Sequence, residues 1–119
     1  MIIQEILDLA RAQGVMIATA ESCTGGMVSV ALTDLPGSSS VLERGVVTYS
    51  NDAKKEQLGV SQDTLDSHGA VSEQIAREMA EGALDRSQAD LAISVTGIAG
   101  PGGSEHKPEG RVCFGLARN

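Results

Sequence analysis

The stretch VMIATAESCTGG, residues 15–26, decides the fold class of this chain. Residues 15–20 form a short apolar run typical of a buried strand, and a helix is predicted from Met27 towards Thr33. Gly25 and Gly26 lie between the two and allow a sharp strand-to-helix turn. Because ligands of α/β sheets bind where a strand passes into a helix, residues 21–26 are the first candidate site.

The remainder of the chain alternates helices and strands in the same way. This order predicts a single domain over residues 1–119, folded as an α/β/α layered sandwich with a mostly parallel central sheet. The other predicted helices cover residues 3–10 with Gly14 as cap, Ser38 to near Gly45, Ser50 or Asn51 to Gly59, and a longer one opened by Ser72. The other predicted strands are residues 46–49, 91–96 and 112–116.

Composition and charge exclude several classes of protein. A chain of 119 residues with 41% hydrophobic residues has room for one core. The net charge of −7 without a basic cluster argues against nucleic-acid binding. No apolar run is long enough to span a membrane. Cys23 and Cys113 have no metal-ligand or redox spacing, which favours a reduced, cytoplasmic setting.

Ser22 is the candidate nucleophile of the first site. A hydroxyl at the end of a strand can attack a carbonyl carbon while backbone N–H groups near residues 24–26 hold the oxyanion. Taken alone, Ser22 and Thr24 are better explained as helix caps. Cys23 is a rival nucleophile, because a helix N-terminus lowers a thiol pKa, although a buried structural cysteine is the better interpretation.

The second candidate site covers residues 48–54, again from the end of a strand into a helix. Tyr49 would project at the strand end, and Lys54 would lie about one turn into the helix. A lysine acts as a base only when neutral, and lowering its pKa from about 10.4 to about 7–8 costs roughly 4 kcal/mol. The alternative is that Lys54 and Lys55 are ordinary solvated lysines.

The third candidate site is the glycine-rich segment 96–103, which could wrap a substrate with backbone donors. It lacks the lysine of a phosphate-binding P-loop and the spacing of a dinucleotide fingerprint. Its alternative is a plain connection, although its length favours function. The spacing Ser104-x-x-Lys107 is interpreted as chance, and His68 and His106 are interpreted as surface residues.

Five segments in order resemble the CinA C-terminal domain family of nicotinamide-nucleotide amidohydrolases. They are Ala20–Gly26, Gly45–Asn51, Gly69–Ser72, Thr96–Gly103 and Lys107–Gly110. The resemblance implies hydrolysis of the carboxamide of nicotinamide mononucleotide to nicotinic acid mononucleotide and ammonia, without metal or other cofactor. It also implies a catalytic Ser22, Tyr49 and Lys54, with Lys55 as the alternative base.

The resemblance also implies how the substrate is bound and how the chain is assembled. Family members can carry a further N-terminal domain and continue past the last strand, so we expect a stand-alone, shortened form. An uncovered last strand predicts a homo-oligomer. The competing hypothesis is a module that binds a pyridine nucleotide without turnover. The expected substrate-binding residues are Glu21, Thr24, Gly25, Gly26, Thr96, Gly97, Gly100, Gly102 and Gly103.

Overall fold

The computed structural model of the chain describes residues 2–103 and 107–119. Its helices are α1 (Ile2–Gln13), α2 (Met27–Thr33), α3 (Asn51–Leu58), α4 (Gln62–His68) and α5 (Glu73–Asp85), with one 3₁₀ turn at Ser38–Ser40. Its strands are β1 (Ile17–Glu21), β2 (Leu42–Val47), β3 (Leu91–Gly97) and β4 (Val112–Arg118).

The strands form one sheet in the order β2-β1-β3-β4. β1 pairs in parallel with β2 and with β3, whereas β4 runs antiparallel to β3. The predicted mostly parallel α/β sheet is confirmed. The chain leaves β1 towards β2 on one side and later returns to β3 on the other side. The ends of β1 and β3 therefore flank the point where an open α/β sheet binds ligands.

The two faces of the sheet carry separate apolar cores. Strand alternation directs Ala18 and Ala20 of β1 to one face and Ile17 to the other. The first face packs mainly against α3, α4 and α5, and the second against α1 and α2. The first core is formed by Ala18, Ala20, Leu58, Val60, Leu65, Ile75, Met79, Ala83, Ala89 and Ala92. The second is formed by Leu7, Ala10, Ile17, Leu32 and Val41.

Three elements differ from the prediction. The strand predicted over residues 46–49 begins earlier, at Leu42, and ends at Val47. The short helix predicted to end near Gly45 stops at Ser40, and Gly45 lies inside β2. A side chain at Gly45 would collide with the hydroxyls of Ser29 and Thr19, so the glycine is needed for α2 to pack on the strand. Helix α4 was not predicted, because its seven residues bury only Leu65 and show no periodicity.

Strand β4 presents an apolar face to solvent. Cys113 is buried on the side that packs against α5, whereas Phe114 and Leu116 are 70% and 69% exposed. Such a row is typical of a surface that a further chain segment or partner covers. Within the described part of the chain, no helix has the length and apolar character needed to cross a membrane.

The α3–α5 contact gives a test of the packing. Gly82 of α5 is buried, and a Cβ there would press against the backbone carbonyl of Leu58. Replacing a helical glycine by alanine usually gains about 1 kcal/mol. Here overpacking should cost about 1–3 kcal/mol or more, so we expect Gly82→Ala to destabilise the protein. Urea unfolding measures this, with the exposed neighbour Glu81→Ala as control; a stabilised Gly82→Ala would contradict the packing.

Candidate active site

The side chains of Ser22 and Lys54 meet although they are 32 positions apart in the chain. The Nζ of Lys54 donates to the Oγ of Ser22 at 3.1 Å and to the carbonyl oxygen of Thr48 at 3.2 Å. Ser22 directly follows β1, and Thr48 directly follows β2. Only 7% of Ser22 and 3% of Lys54 is exposed. The contact therefore lies at the carboxyl ends of adjacent parallel strands and is nearly closed to water.

The ends of α3 place Lys54 at this point. Ser50 caps the helix by accepting from the N–H of Ala53 at 3.0 Å, and Gly59 ends it with a φ of 68°. Lys54 then faces inward beside α5. Lys55 faces outward, where its Nζ donates to Gln62 Oε1 at 2.8 Å and lies 3.6 Å from Asp52 Oδ1. The structure thus brings Lys54, and not Lys55, to Ser22.

Burial weakens the affinity of Lys54 for its proton. Removal from water lowers the pKa of the Lys54 amine, and the charge of a Cys23 thiolate would oppose this effect. Among the described residues, the recorded ion pairs include none to Lys54. A neutral amine beside a serine hydroxyl is the arrangement that a lysine base requires.

Glu21 serves the structure rather than facing the Ser22–Lys54 pair. Its carboxylate accepts from Thr24 Oγ1 at 2.6 Å and from the N–H groups of Val28 at 2.8 Å and Ser29 at 2.9 Å. Burial raises the pKa of Glu21, but these hydrogen bonds outweigh it and the net pKa is lowered. Glu21, predicted to bind substrate, is 1% exposed, and its carboxylate occupies the first turn of α2.

Cys23 lies beside the same pair without the properties of a nucleophile. Burial raises the pKa of the Cys23 thiol, so the thiolate that would attack is disfavoured. A side chain on Gly97 would come within 2.8 Å of the Cys23 sulfur. Gly97, predicted to bind substrate, therefore permits close packing between β3 and the turn after β1.

Tyr49 is not part of the hydrogen-bonded pair. Its side chain is 67% exposed, and the acceptor beside the lysine amine is the carbonyl of the preceding residue, Thr48. The family resemblance implies a catalytic Tyr49 together with Ser22 and Lys54. In this structure the Thr48 carbonyl holds the amine.

The glycine-rich segment is fastened to the chain around it. Thr96, predicted to bind substrate, is 1% exposed and donates through Oγ1 to the carbonyl of Ala70 at 2.8 Å. Gly102 N–H donates to Glu109 Oε2 at 3.0 Å, and Lys107 Nζ donates to the carbonyl of Val71 at 2.7 Å. The predicted residues Gly25, Gly100, Gly102 and Gly103 are exposed, and Gly26 is partly exposed.

Several other predictions can be placed. His68 ends α4, where Lys107 also donates to its carbonyl oxygen. His106 and Ser104 of the Ser-x-x-Lys spacing lie outside the described residues. Within 2–103 and 107–119, no three His, Cys, Asp or Glu side chains cluster in a way that could hold a metal ion.

Sequence reasoning missed three residues that organise the site. Thr48 holds the lysine amine through its backbone carbonyl, which no side-chain pattern reveals. Lys107 and Glu109 fasten the glycine-rich segment. Their place in the segment Lys107–Gly110 was the available signal, although it did not specify these contacts.

The fold and the site define the class of this protein: it is a three-layer α/β domain in which a serine and a lysine pair at the strand ends. The CinA C-terminal domain family matches residues 1–119. The chain belongs to this family. A structure of the competence/damage inducible protein CihA from Agrobacterium tumefaciens superposes with a TM-score of 0.95 at 52% identity, covering 98% of this chain and 72% of that one.

Two relatives show how far the likeness extends along each protein. The nicotinamide-nucleotide amidohydrolase PncC of Escherichia coli strain K12 is 53% identical over 115 residues, which are 96% of this chain and 70% of that protein. A CinA-like protein of Chloroherpeton thalassium is 56% identical over 115 residues, again 96% of this chain but 27% of that protein. The chain thus spans roughly a quarter of the CinA-like relative's length.

The lowered pKa of Lys54 predicts a pH-dependent stability. Below that lowered pKa, the folded state carries a buried charge and its penalty is complete. As pH rises from there towards about 10.4, the folded lysine is neutral while the unfolded one still binds a proton, so the penalty fades. The quantity to follow is the free energy of unfolding of Lys54→Met minus that of wild type. We expect this difference to be highest at low pH and to fall as pH rises through this window.

Urea unfolding at a series of pH values measures this difference. Lys55→Met is the matched control, since Lys55 reaches solvent and its substitution should shift the free energy of unfolding little, by about 0.5 kcal/mol or less. A pH-independent difference for Lys54→Met would contradict a depressed lysine pKa.

Proposed function

We propose that this chain is a nicotinamide-nucleotide amidohydrolase that converts nicotinamide mononucleotide to nicotinic acid mononucleotide and ammonia in the cytoplasm. The observation that carries the proposal is the buried hydrogen bond of 3.1 Å between Lys54 Nζ and Ser22 Oγ. The 53% identity to a nicotinamide-nucleotide amidohydrolase supports the substrate class. The pair supports serine attack with a lysine base.

The reaction follows from the pair. Neutral Lys54 takes the hydroxyl proton of Ser22 as the oxygen attacks the carboxamide carbon. The resulting Lys54 ammonium returns that proton to the amide nitrogen, the C–N bond breaks, and ammonia leaves an acyl ester on Ser22. Water then attacks the ester while one of its protons passes to Lys54. The bond between the acyl carbon and Ser22 Oγ breaks, Lys54 returns the proton to that oxygen, and the acid product leaves.

Backbone N–H groups at the turn after β1 would stabilise the oxyanion. The N–H of Gly25 is taken by the carbonyl of Ser22 at 3.0 Å, which leaves Thr24 and Gly26 as the donors we assign. Gly26 has a φ of 115°, a conformation that a residue with a side chain rarely adopts. Tyr49, reoriented from its exposed position, would close over the bound substrate.

The exposed glycines supply the proposed contacts to the ribose phosphate. Gly100, Gly102 and Gly103 lie after β3, at the same edge of the sheet as Ser22. Fastening by Glu109 and Lys107 would keep their backbone groups in place without side-chain motion. Glu21, Thr96 and Gly97 are assigned to support the turn and the segment from behind, because their contacts are internal.

The competing function is binding of the same nucleotide without turnover. Ammonia release from nicotinamide mononucleotide by the purified chain separates the two functions. Binding observed by calorimetry without ammonia release would favour the binding module.

Replacement of the base tests the mechanism directly. Arginine retains the positive charge but cannot become neutral, because its pKa lies above 12. We expect Lys54→Arg to lose turnover by about 10²–10⁴-fold or more, the range typical of a lost general base. Ammonia release at saturating substrate measures the loss.

Lys55→Arg is the matched control, because its side chain points away from Ser22, and it should retain wild-type turnover. Inverted results for the two variants would move the base to Lys55. Full activity in both would contradict the serine–lysine mechanism.

We also propose that the chain self-associates through the apolar face of β4. Phe114 and Leu116 together expose a hydrophobic strip on an edge strand. We expect light scattering to show a dimer or larger species that Phe114→Asp shifts towards monomer. Ser67→Asp, exposed on α4 and away from β4, is the control for the added negative charge alone. A wild-type monomer at high concentration would contradict the proposal.

A further inference from the structure

Thr48 carries a buried hydroxyl without a partner. The residue is 0% exposed, and its Oγ1 has no hydrogen-bond partner among the described residues. Leaving such a group unpaired in the protein interior is destabilising. The other polar groups of Thr48 are satisfied: its N–H donates to the carbonyl of Glu21 at 2.9 Å, and its carbonyl accepts from Lys54 Nζ at 3.2 Å. A buried group that is left unpaired beside a reactive lysine requires a reason.

Strand alternation places this hydroxyl on the same side of the sheet as the lysine. The Val47 side chain packs near Gly26, at the start of α2. The next residue of an extended chain points to the opposite face, which α3 and α5 cover. Ser22, one residue after the α2-facing Glu21, lies on that face as well. Thr48 therefore presents its hydroxyl on the face of the sheet that holds the amine, while its carbonyl accepts from Lys54 Nζ; the hydroxyl itself is not bonded to the amine in this structure.

The number of N–H groups on the amine changes during the proposed reaction. A neutral lysine has two N–H groups and directs its lone pair at the serine proton. The ammonium that forms has three N–H groups, of which Ser22 Oγ and the Thr48 carbonyl accept two. The remaining N–H is already present on the neutral amine. It has no recorded acceptor among the described residues, and a hydrogen bond to it becomes stronger once the amine carries a full charge.

We propose that Thr48 is a positioning residue whose hydroxyl accepts the third N–H of the Lys54 ammonium formed when Ser22 is deprotonated. The inference rests on the proposed function. In the step concerned, the proton moves from Ser22 Oγ to Lys54 Nζ while the serine electron pair forms the C–O bond. The hydroxyl stabilises the ammonium until the proton passes to the departing nitrogen, and no other reactant is needed.

The titratable groups recorded around Lys54 among the described residues do not accept an N–H from its amine. Cys23, in the turn after β1, is the titratable group whose charge acts on Lys54. The Glu21 carboxylate accepts hydrogen bonds from the first turn of α2.

The acidic residues of the helices that cover this face are engaged elsewhere. On α3, Asp52 lies beside Lys55 on the outer face. On α5, Glu78 accepts from the N–H of Ser61 and from the hydroxyl of Thr64. Tyr49 points to solvent.

The test compares Thr48→Val, which keeps the shape without the hydroxyl, with Thr48→Ser, which keeps the hydroxyl. We expect Thr48→Val to lower kcat about 10–100-fold, the effect of losing one hydrogen bond to a charged group. KM should stay unchanged, because Thr48 does not reach the surface. The acid limb of the kcat profile should move to lower pH, since the ammonium loses an acceptor. Thr48→Ser should restore most of the rate.

A second readout does not depend on turnover. The chain has three lysines, Lys54, Lys55 and Lys107, so NMR titration of their ε-carbon signals can follow each amine. The pKa of Lys54 should fall in Thr48→Val and stay at its wild-type value in Thr48→Ser. Thr19→Val is the matched control: Thr19 is 0% exposed, and its hydroxyl is bonded to Ser29 on the opposite face. That variant should lose stability without shifting the Lys54 titration.

The outcomes separate this inference from the proposed function. A wild-type chain that releases no ammonia contradicts the amidohydrolase, and the Lys54 titration alone then decides the role of Thr48. An unshifted Lys54 pKa in folded Thr48→Val overturns the inference, whatever the rate. A shifted pKa with unchanged kcat also overturns it, because the hydroxyl would then have no part in the reaction.

Discussion

The site depends on a buried lysine amine that no carboxylate of the described residues contacts. A carboxylate in contact would hold the amine as an ammonium and remove its ability to act as a base. Glu21 carries a buried carboxylate that directly precedes Ser22 in the chain, so its direction decides whether it could contact the amine. Strand alternation directs the two side chains to opposite faces of the sheet. Two N–H groups of the first turn of α2 then bind the Glu21 carboxylate and keep it away from the lysine amine.

Packing at a distance from the chemistry sets the position of the amine. Lys54 reaches Ser22 because Ser50 and Gly59 define the ends of α3, and because α3 lies close against α5. At Gly82 the two helices approach until a backbone carbonyl of α3 occupies the space of a side chain. A wider separation would withdraw Lys54 from the strand ends. The precision of a 3.1 Å contact is therefore a property of the whole α3–α5 layer.

The glycine-rich segment illustrates a different division of roles. Its glycines are freely accessible, but their arrangement is fixed by side chains elsewhere in the chain. Glu109 holds the N–H of Gly102, and Lys107 ties the segment to the turn before α5. Thr96 braces the same turn from the sheet. Fixed side chains around an accessible backbone suit a site that binds a substrate through main-chain groups.

The order of the strands, the mostly parallel sheet and the two strand-end sites are readable in the sequence, because hydrophobic runs and the glycine or serine residues that bound them are local signals. The sequence also restricted the candidate base to Lys54 or Lys55. Only the tertiary structure shows which of the two side chains meets Ser22, since this depends on which side of α3 faces the sheet. The same is true of Thr48, whose role comes from a backbone carbonyl and an unpaired hydroxyl rather than from any pattern of residue types. Local propensity determines which elements form, whereas burial and contact between distant segments decide which polar atoms meet.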